Sequence, residues 1–241
     1  MADQVGGEGD RTVVLTLTDP GRCATLGSPA TAELTIRDDD PAPPRVQPFG
    51  LDPTFGPGGT VTTDTGGGFS QQEALGVAIQ PDGRLLLVGT ADTTPPGSPP
   101  GSVTELSVMR LEPDGTPDAT FGDNGNGTVN VSVTRLSSPT GVPGRDTGAA
   151  IALQPDGRIV VAGATGAINS NFAIARLLAD GTLDTDFTDT GVMTIDFFGF
   201  TDAAEAVAVT DDGKMVVAGL ARDNVDGYGV ARVSPQAALR A

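Results

Sequence analysis

Three blocks of residues return in the same order along this chain, and that repetition limits its fold more than any other feature. Leu51-Asp52-Pro53-Thr54-Phe55-Gly56 comes back as Pro117-Asp118-Ala119-Thr120-Phe121-Gly122 and, altered, as Leu183-Asp184-Thr185-Asp186-Phe187-Thr188, so that the three phenylalanines stand 66 residues apart. Gln80-Pro81-Asp82-Gly83-Arg84 is followed by an apolar run to Gly89. It returns as Gln154-Pro155-Asp156-Gly157-Arg158 with a run to Gly163, and as Thr210-Asp211-Asp212-Gly213-Lys214 with a run to Gly219. In each copy the closing glycine lies six residues beyond the turn glycine. The third block ends in arginine: Val108-Met109-Arg110-Leu111, Ile174-Ala175-Arg176-Leu177 and Val230-Ala231-Arg232-Val233. The repeats are 51–117, 118–183 and 184–241. Gly89 and Arg110 are 21 residues apart, against 13 for Gly163 to Arg176 and for Gly219 to Arg232. The surplus falls in the Pro-, Gly- and Ser-rich segment Thr93 to Ser102, a connector whose lengthening leaves the strands intact. The second repeat has its own insertion around Ser137 to Arg145.

Each repeat holds four strand-like runs, in the first about Gly59 to Thr65, Leu75 to Gln80, Arg84 to Thr90 and Leu106 to Glu112. Pro-Asp-Gly joins the second and third as a tight antiparallel hairpin, because Pro presets φ, Asp favours the turn and Gly accepts a positive φ. The third run is apolar almost throughout (Leu85 to Val88, Ile159 to Ala162, Met215 to Ala218), which requires cover on both faces. In the second run bulky residues (Val77 and Ile79, Ile151 and Leu153, Val207 and Val209) alternate with Ala78, Ala152 and Ala208, a small face that admits a neighbour closely. Stacked four-stranded blades satisfy this pattern better than an eight-stranded sandwich, and a single sheet with one wet face does not satisfy it.

Composition removes whole classes of function. There is no histidine, hence no Ser-His or Cys-His nucleophile pair and no imidazole metal ligand. The single Cys23 has no disulfide partner and reads as a small buried hydrophobe. A net charge of −17 repels nucleic acid and anionic membrane, and leaves cations such as calcium as the attracted partners. No segment approaches the roughly 20 apolar residues of a membrane helix. Met1 to Pro20 is polar and acidic, unlike a signal peptide, so an exported protein would carry its export signal elsewhere.

The boxes L-D-x-T-F-G, Q-P-D-G-R/K with its apolar run to Gly, and A-R-L-x-x-D-G-T resemble the delta-60 repeat of bacterial surface and secreted proteins, a β-propeller-like unit, over residues 51 to 241. Repeat three departs by losing the glycine after Phe187 and its last Asp-Gly box. Ahead of the repeats, Thr12 to Thr18 and Ala30 to Ile36 alternate like strands around the turn Asp19-Pro20-Gly21-Arg22, and the second meets Arg37-Asp38-Asp39-Asp40. Residues 1–40 are similar to the C-terminal part of a Calx-β domain, a β-sandwich, and 41–50 is a stiff Pro-rich linker. In that family the terminal aspartates contribute calcium ligands, so the resemblance implies a calcium site at Asp38, Asp39 and Asp40, completed by acids from earlier loops of which only Glu8 and Asp10 stand here. The expected fold is thus all-β: an incomplete β-propeller-like array of three four-stranded blades preceded by a sandwich fragment. Three repeats fall short of the roughly four to eight blades that close a propeller, so further repeats or chains are needed.

Other constellations lead to structure rather than chemistry. Arg110, Arg176 and Arg232 recur amid apolar strand residues and need partners; the nearest recurring acids are Asp52, Asp118 and Asp184, and a cross-strand or cross-blade ion pair is expected. Asp123-Asn124-Gly125-Asn126-Gly127 lacks the later Glu of an EF-hand. Gly66-Gly67-Gly68 has no helix or Lys-Ser/Thr behind it to cradle phosphate. The expectation is a non-catalytic secreted or cell-surface bacterial protein for adhesion, binding or scaffolding, its ligand a glycan or surface protein. The alternative is a propeller hydrolase with paired carboxylates acting on a carbohydrate-type substrate.

Overall fold

A computed structural model describes residues 11–16, 31–36, 50–63, 73–137, 144–166 and 169–235. Cys23, Asp38, Asp39, Asp40, the linker residues 41–49 and Gly66 to Gly68 lie outside them. The chain divides into two compact units, Met1–Gly50 and Leu51–Ala241. In the first, β1 (Arg11–Thr16) and β2 (Thr31–Ile36) pair antiparallel, from Arg11 opposite Ile36 to Thr16 opposite Thr31.

The second unit is built from three antiparallel sheets. The first sheet contains β3 (Glu73–Ile79), β4 (Leu85–Asp92), β5 (Thr104–Leu111) and β6 (Thr128–Val131), hydrogen-bonded in that order. A single turn of helix, α1 (Val133–Ser137), leads to the second sheet. It contains β7 (Asp146–Leu153), β8 (Ile159–Thr165), β9 (Asn171–Leu177) and β10 (Val192–Ile195), again in sequence order. The third sheet contains β11 (Ala203–Val209), β12 (Met215–Arg222) and β13 (Asp226–Val233). No helix among the described residues is long and apolar enough to cross a membrane.

The sheets stack as blades, and the middle blade is covered on both faces. Strand pleating sends Ile159 and Val161 of β8 to one side, into a core with Leu86, Val88, Leu106 and Val108 of the first blade. Val160 and Ala162 go to the other side, where they meet Ala204, Met215 and Val217 of the third blade. All four β8 side chains are fully buried, which accounts for an apolar run without alternation. Each fully buried Val, Leu, Ile or Phe contributes roughly 1.5–3 kcal/mol, so the inter-blade contacts hold this unit together.

One expectation needs correcting. The run Gly59 to Thr65 was to be a strand of the first repeat's own sheet, but its described residues, 59–63, form no strand. The fourth strand of the first blade is β6, which comes from the second repeat, and β10 from the third repeat completes the second blade in the same way. Blade and sequence repeat are one strand out of phase. The cause is the chain path: after β5 the first box turns the backbone straight back, with the Asp118 amide donating to the Arg110 carbonyl at 3.0 Å, so the next run lies beside the sheet just made. Among the described residues the third blade has three strands.

A candidate binding rim opposite a structural one

Successive antiparallel strands turn at alternate ends of a blade, so each blade has two rims. The first strand-to-second and third-to-fourth connections share one rim; the second-to-third connection and the link to the next blade share the other. All three sequence boxes fall on the first. The Thr93 to Ser102 insertion falls on the second, as do the described ends of the other, Ser137 and Gly144 to Arg145.

The box rim holds the contacts that bind one blade to the next. Arg110, 7% exposed, donates from Nε to Asp118 Oδ2 at 2.7 Å, from Nη2 to Thr120 Oγ1 at 3.2 Å and from Nη1 to the Ala179 carbonyl of the next blade at 2.5 Å. Its guanidinium lies 4.6 Å above the centre of the Phe121 ring. Asp118 Oδ1 meanwhile accepts from the Thr120 amide and hydroxyl at 2.9 and 2.6 Å. The second blade repeats the unit: Arg176 Nε to Asp184 Oδ2 at 2.8 Å, the ring of Phe187 at 4.8 Å, and the carbonyl of Pro235 in the following blade. Arg110 with Asp118 and Arg176 with Asp184 are thus brought together as clamps, whereas Arg232 and Asp52 are not. Sequence reading missed a second guanidinium: Arg84 approaches Asp118 at 3.2 Å and Arg158 approaches Asp184 at 2.7 Å. The signal was a basic residue directly after every turn glycine, Arg84, Arg158 and Lys214. Gln154 adds another bond between blades, its Nε2 donating to the Gly213 carbonyl at 2.7 Å.

These contacts act on acidity. Burial works to raise the Asp118 pKa, but the Thr120 hydroxyl and amide and the Arg110 charge outweigh it and hold the carboxyl below the usual aspartate value. Asp114 and Asp180 are lowered by the hydroxyl and amide of Thr116 and Thr182, and Asp212, hydrogen-bonded to Lys214 and Thr210, falls to about 2. A carboxyl whose pKa is lower folded than unfolded stabilises the fold fully above its unfolded value, and that contribution is lost as pH falls through the folded value. The urea midpoint is therefore expected to be level from about pH 8 to pH 5 and to fall below about pH 4, near the unfolded aspartate value. A midpoint that held steady down to pH 2 would contradict it.

The opposite rim is held by three buried aspartates. Asp92 accepts the amides of Thr94 and Gly101 at 2.8 and 2.7 Å and so ties both ends of the Thr93 to Ser102 insertion. Asp146, wholly buried, accepts the Thr134 amide at 3.0 Å and the hydroxyl of Thr165 at 2.6 Å, which fixes α1 against β8. Asp202, also wholly buried, accepts the amides of Phe197 and Arg222 at 2.9 and 3.0 Å. The start of β5, just after the first insertion, touches the end of the second: the Thr104 hydroxyl donates to the Asp146 carbonyl at 3.0 Å and its amide to the Gly144 carbonyl at 3.2 Å. Beside Asp202, the turn Asp196 to Thr201 exposes Phe198 and Phe200, although Phe197 packs edge-on against Phe172 with ring centres 4.9 Å apart. Glu105 has a raised pKa, chiefly from burial, with Asp146 adding to it and Arg135 opposing.

Among the described residues no group of three or more Asp, Glu, Cys or His side chains could hold a metal ion. Asp123 to Gly127 is an ordinary turn in which Asn126 Oδ1 caps the Thr128 amide at 3.0 Å. The calcium expectation at Asp38, Asp39 and Asp40 falls outside the described residues.

Residues 80–121 and 154–187 match a family described as a domain of unknown function (DUF5122) beta-propeller. Each matched segment runs from the glutamine of the second box to the phenylalanine of the first box that follows, and so includes one clamp arginine with its aspartate. No curated protein sequence matches the chain. Stacked antiparallel blades and two such matches make this a β-propeller-like repeat protein.

Proposed function

We propose that the chain is a non-catalytic binding scaffold of a secreted or cell-surface bacterial protein, with the blades as frame and the insertion-bearing rim as the contact surface for a glycan or surface protein. The observation that carries this reading is the division of labour between rims. The recurring boxes supply the clamps and turns on one side, and the elements that differ from blade to blade gather on the other. Phe198 and Phe200 present apolar faces there, suited to stacking on a sugar ring or burying into a protein partner. The resemblance of the boxes to delta-60 repeats, and of residues 1–40 to a Calx-β end, supports the surface location and a calcium-associated N-terminal part.

Phe198→Ser with Phe200→Ser should abolish retention on a glycan array or on immobilised cell-surface protein, because both rings are exposed. The melting temperature should stay within about 2 °C of wild type, as expected for surface changes. Binding unchanged by the double substitution would remove this rim from consideration.

The alternative hydrolase has one observation in its favour, the raised pKa of Glu105, the behaviour of a general acid. Its neighbour Asp146 is wholly buried with both oxygens occupied, which leaves it unable to act as nucleophile or base. Turnover of aryl glycosides that disappears in Glu105→Gln would replace the binding reading with the enzymatic one.

A further inference from the structure

The stack of blades ends in two unlike faces, and each carries half of the junction that joins blades inside the chain. The outer face of the third blade presents Ala206, Ala208, Ala218, Tyr228, Val230 and Arg232. Tyr228 occupies the position of Leu106 and Phe172, both fully buried in the first two blades, yet it is 98% exposed; Val230, equivalent to buried Val108 and Ile174, is 61% exposed. Arg232 stands where Arg110 and Arg176 make their clamps, and it has no ion pair among the described residues. Among the described residues β13 has no fourth strand beside it.

The missing parts lie at the other end of the same unit. Residues 51–63 contain the first box, with Asp52 and Phe55, and the stretch Thr60-Val61-Thr62-Thr63 in the place of β6 and β10. This segment already sits on the first blade as its counterpart sits on the second. The Gly56 amide donates to the Asp114 carbonyl at 2.8 Å, as Gly122 does to Asp180 at 2.8 Å. Phe55 and Val61 lie against Gly115 as Phe121 and Val129 lie against Gly181. Asp52 caps Thr54, whose amide and hydroxyl donate to it at 2.9 and 2.7 Å, but has no arginine among the described residues. Between this segment and the first sheet remains an apolar cavity of about 510 Å³ lined by Val77, Leu85, Leu87 and Met109. Val77 and Ile79, whose equivalents Ile151 and Leu153 pack into the inter-blade core, are 60% and 68% exposed here.

We propose that two copies of this chain join head to tail, each giving residues 51–63 to the third blade of the other, and so close a six-bladed ring. The internal junctions fix the register. Thr128 to Val131 pair with Met109 back to Leu106, and Val192 to Ile195 with Ala175 back to Phe172. By the same offsets Thr60 faces Ala231 of the other copy, Val61 faces Val230, Thr62 faces Gly229 and Thr63 faces Tyr228. Arg232 then pairs with Asp52, lies over Phe55 and reaches the Pro113 carbonyl, the counterpart of Ala179 and Pro235. The small face of the third blade fills the cavity as its equivalents fill the space between the first two blades. Three blades in each copy make six, within the range of about four to eight that closes. The contact is heterologous, and a twofold axis makes its two occurrences equivalent.

Sedimentation velocity on the full chain is expected to show a dimer that does not grow further as concentration rises. Tyr228→Arg alters a side chain that a single copy leaves exposed, so it should yield folded monomer. Arg232→Asp and Asp52→Arg should each be monomeric because like charges meet at both contacts. An equimolar mixture of those two should recover the dimer, since one contact then has the swapped pair and the other the native one. A monomeric wild type, an open-ended series of larger species, or a mixture that stays monomeric while both variants keep their β circular dichroism would each overturn the proposal.

Discussion

Arg176→Met lowers the stability of the repeat unit by about 3 kcal/mol, the lower end of the roughly 3–5 kcal/mol lost when one partner of a buried ion pair is removed. Methionine keeps most of the apolar stem, so the loss isolates the guanidinium. Asp184, 2% exposed, keeps Arg158 at 2.7 Å, and that residual partner sets the lower figure. Also lost are the bond to the Pro235 carbonyl in the next blade and the contact above Phe187. For a unit of this size each kcal/mol shifts the melting temperature by about 2–4 °C, so a fall of roughly 6–12 °C is expected. Arg176→Lys should lie between the two, since an ammonium keeps the charge but cannot serve a carboxylate, a carbonyl and a ring from one rigid fork. Thermal unfolding followed by circular dichroism separates the three proteins. A melting temperature unchanged in Arg176→Met would mean that the clamp contributes nothing to the fold.

Much of this arrangement is legible in the sequence. The Pro-Asp-Gly turns specify hairpins through local backbone preferences, and Gly83, Gly157 and Gly213 do adopt positive φ. The apolar runs in β4, β8 and β12 require two covered faces, and the middle blade supplies both. The arginine–aspartate pairing followed from a buried charge needing a partner. The phase of the blades was not legible. Thr128 to Val131 and Val192 to Ile195 are strands of only four residues, and which sheet they join depends on the turn made by the preceding box. The insertion-bearing rim was invisible for a related reason. Neither insertion has a motif, and the contact of Thr104 with Asp146 at their strand ends follows only from antiparallel topology. The role of Arg84 and Arg158 went unread because their partner lies 34 and 26 residues along the chain, in a box already assigned to another arginine.

The recurring closing glycine was legible as a pattern but not as a cause, and it carries the other large expected effect. Gly89, Gly163 and Gly219 have no positive φ, so they are not turn residues. Each faces a β-bulge. The register of the facing strand slips between Ala74 and Gly76, between Gly148 and Ala150, and between Ala204 and Ala206, with Leu75, Ala149 and Glu205 as the extra residues. The bulge drives a backbone carbonyl into the space a side chain would take. A Cβ on Gly163 would lie 1.8 Å from the Thr147 oxygen, and the figures at Gly89 and Gly219 are 1.7 and 2.0 Å from Glu73 and Ala203. Because that neighbour is backbone, β7 must leave β8 for an alanine to fit. Gly163→Ala is therefore expected to cost more than about 4 kcal/mol, the exceptional range for a single methyl group, or to prevent folding. Gly157→Ala is the matched control. It lies six residues earlier with φ at 86° and no atom within 4 Å of the added carbon, so it should lose only the roughly 1–2 kcal/mol of left-handed backbone strain. Urea unfolding of the two variants reads the difference directly, and equal losses would show that the bulge does not select the glycine.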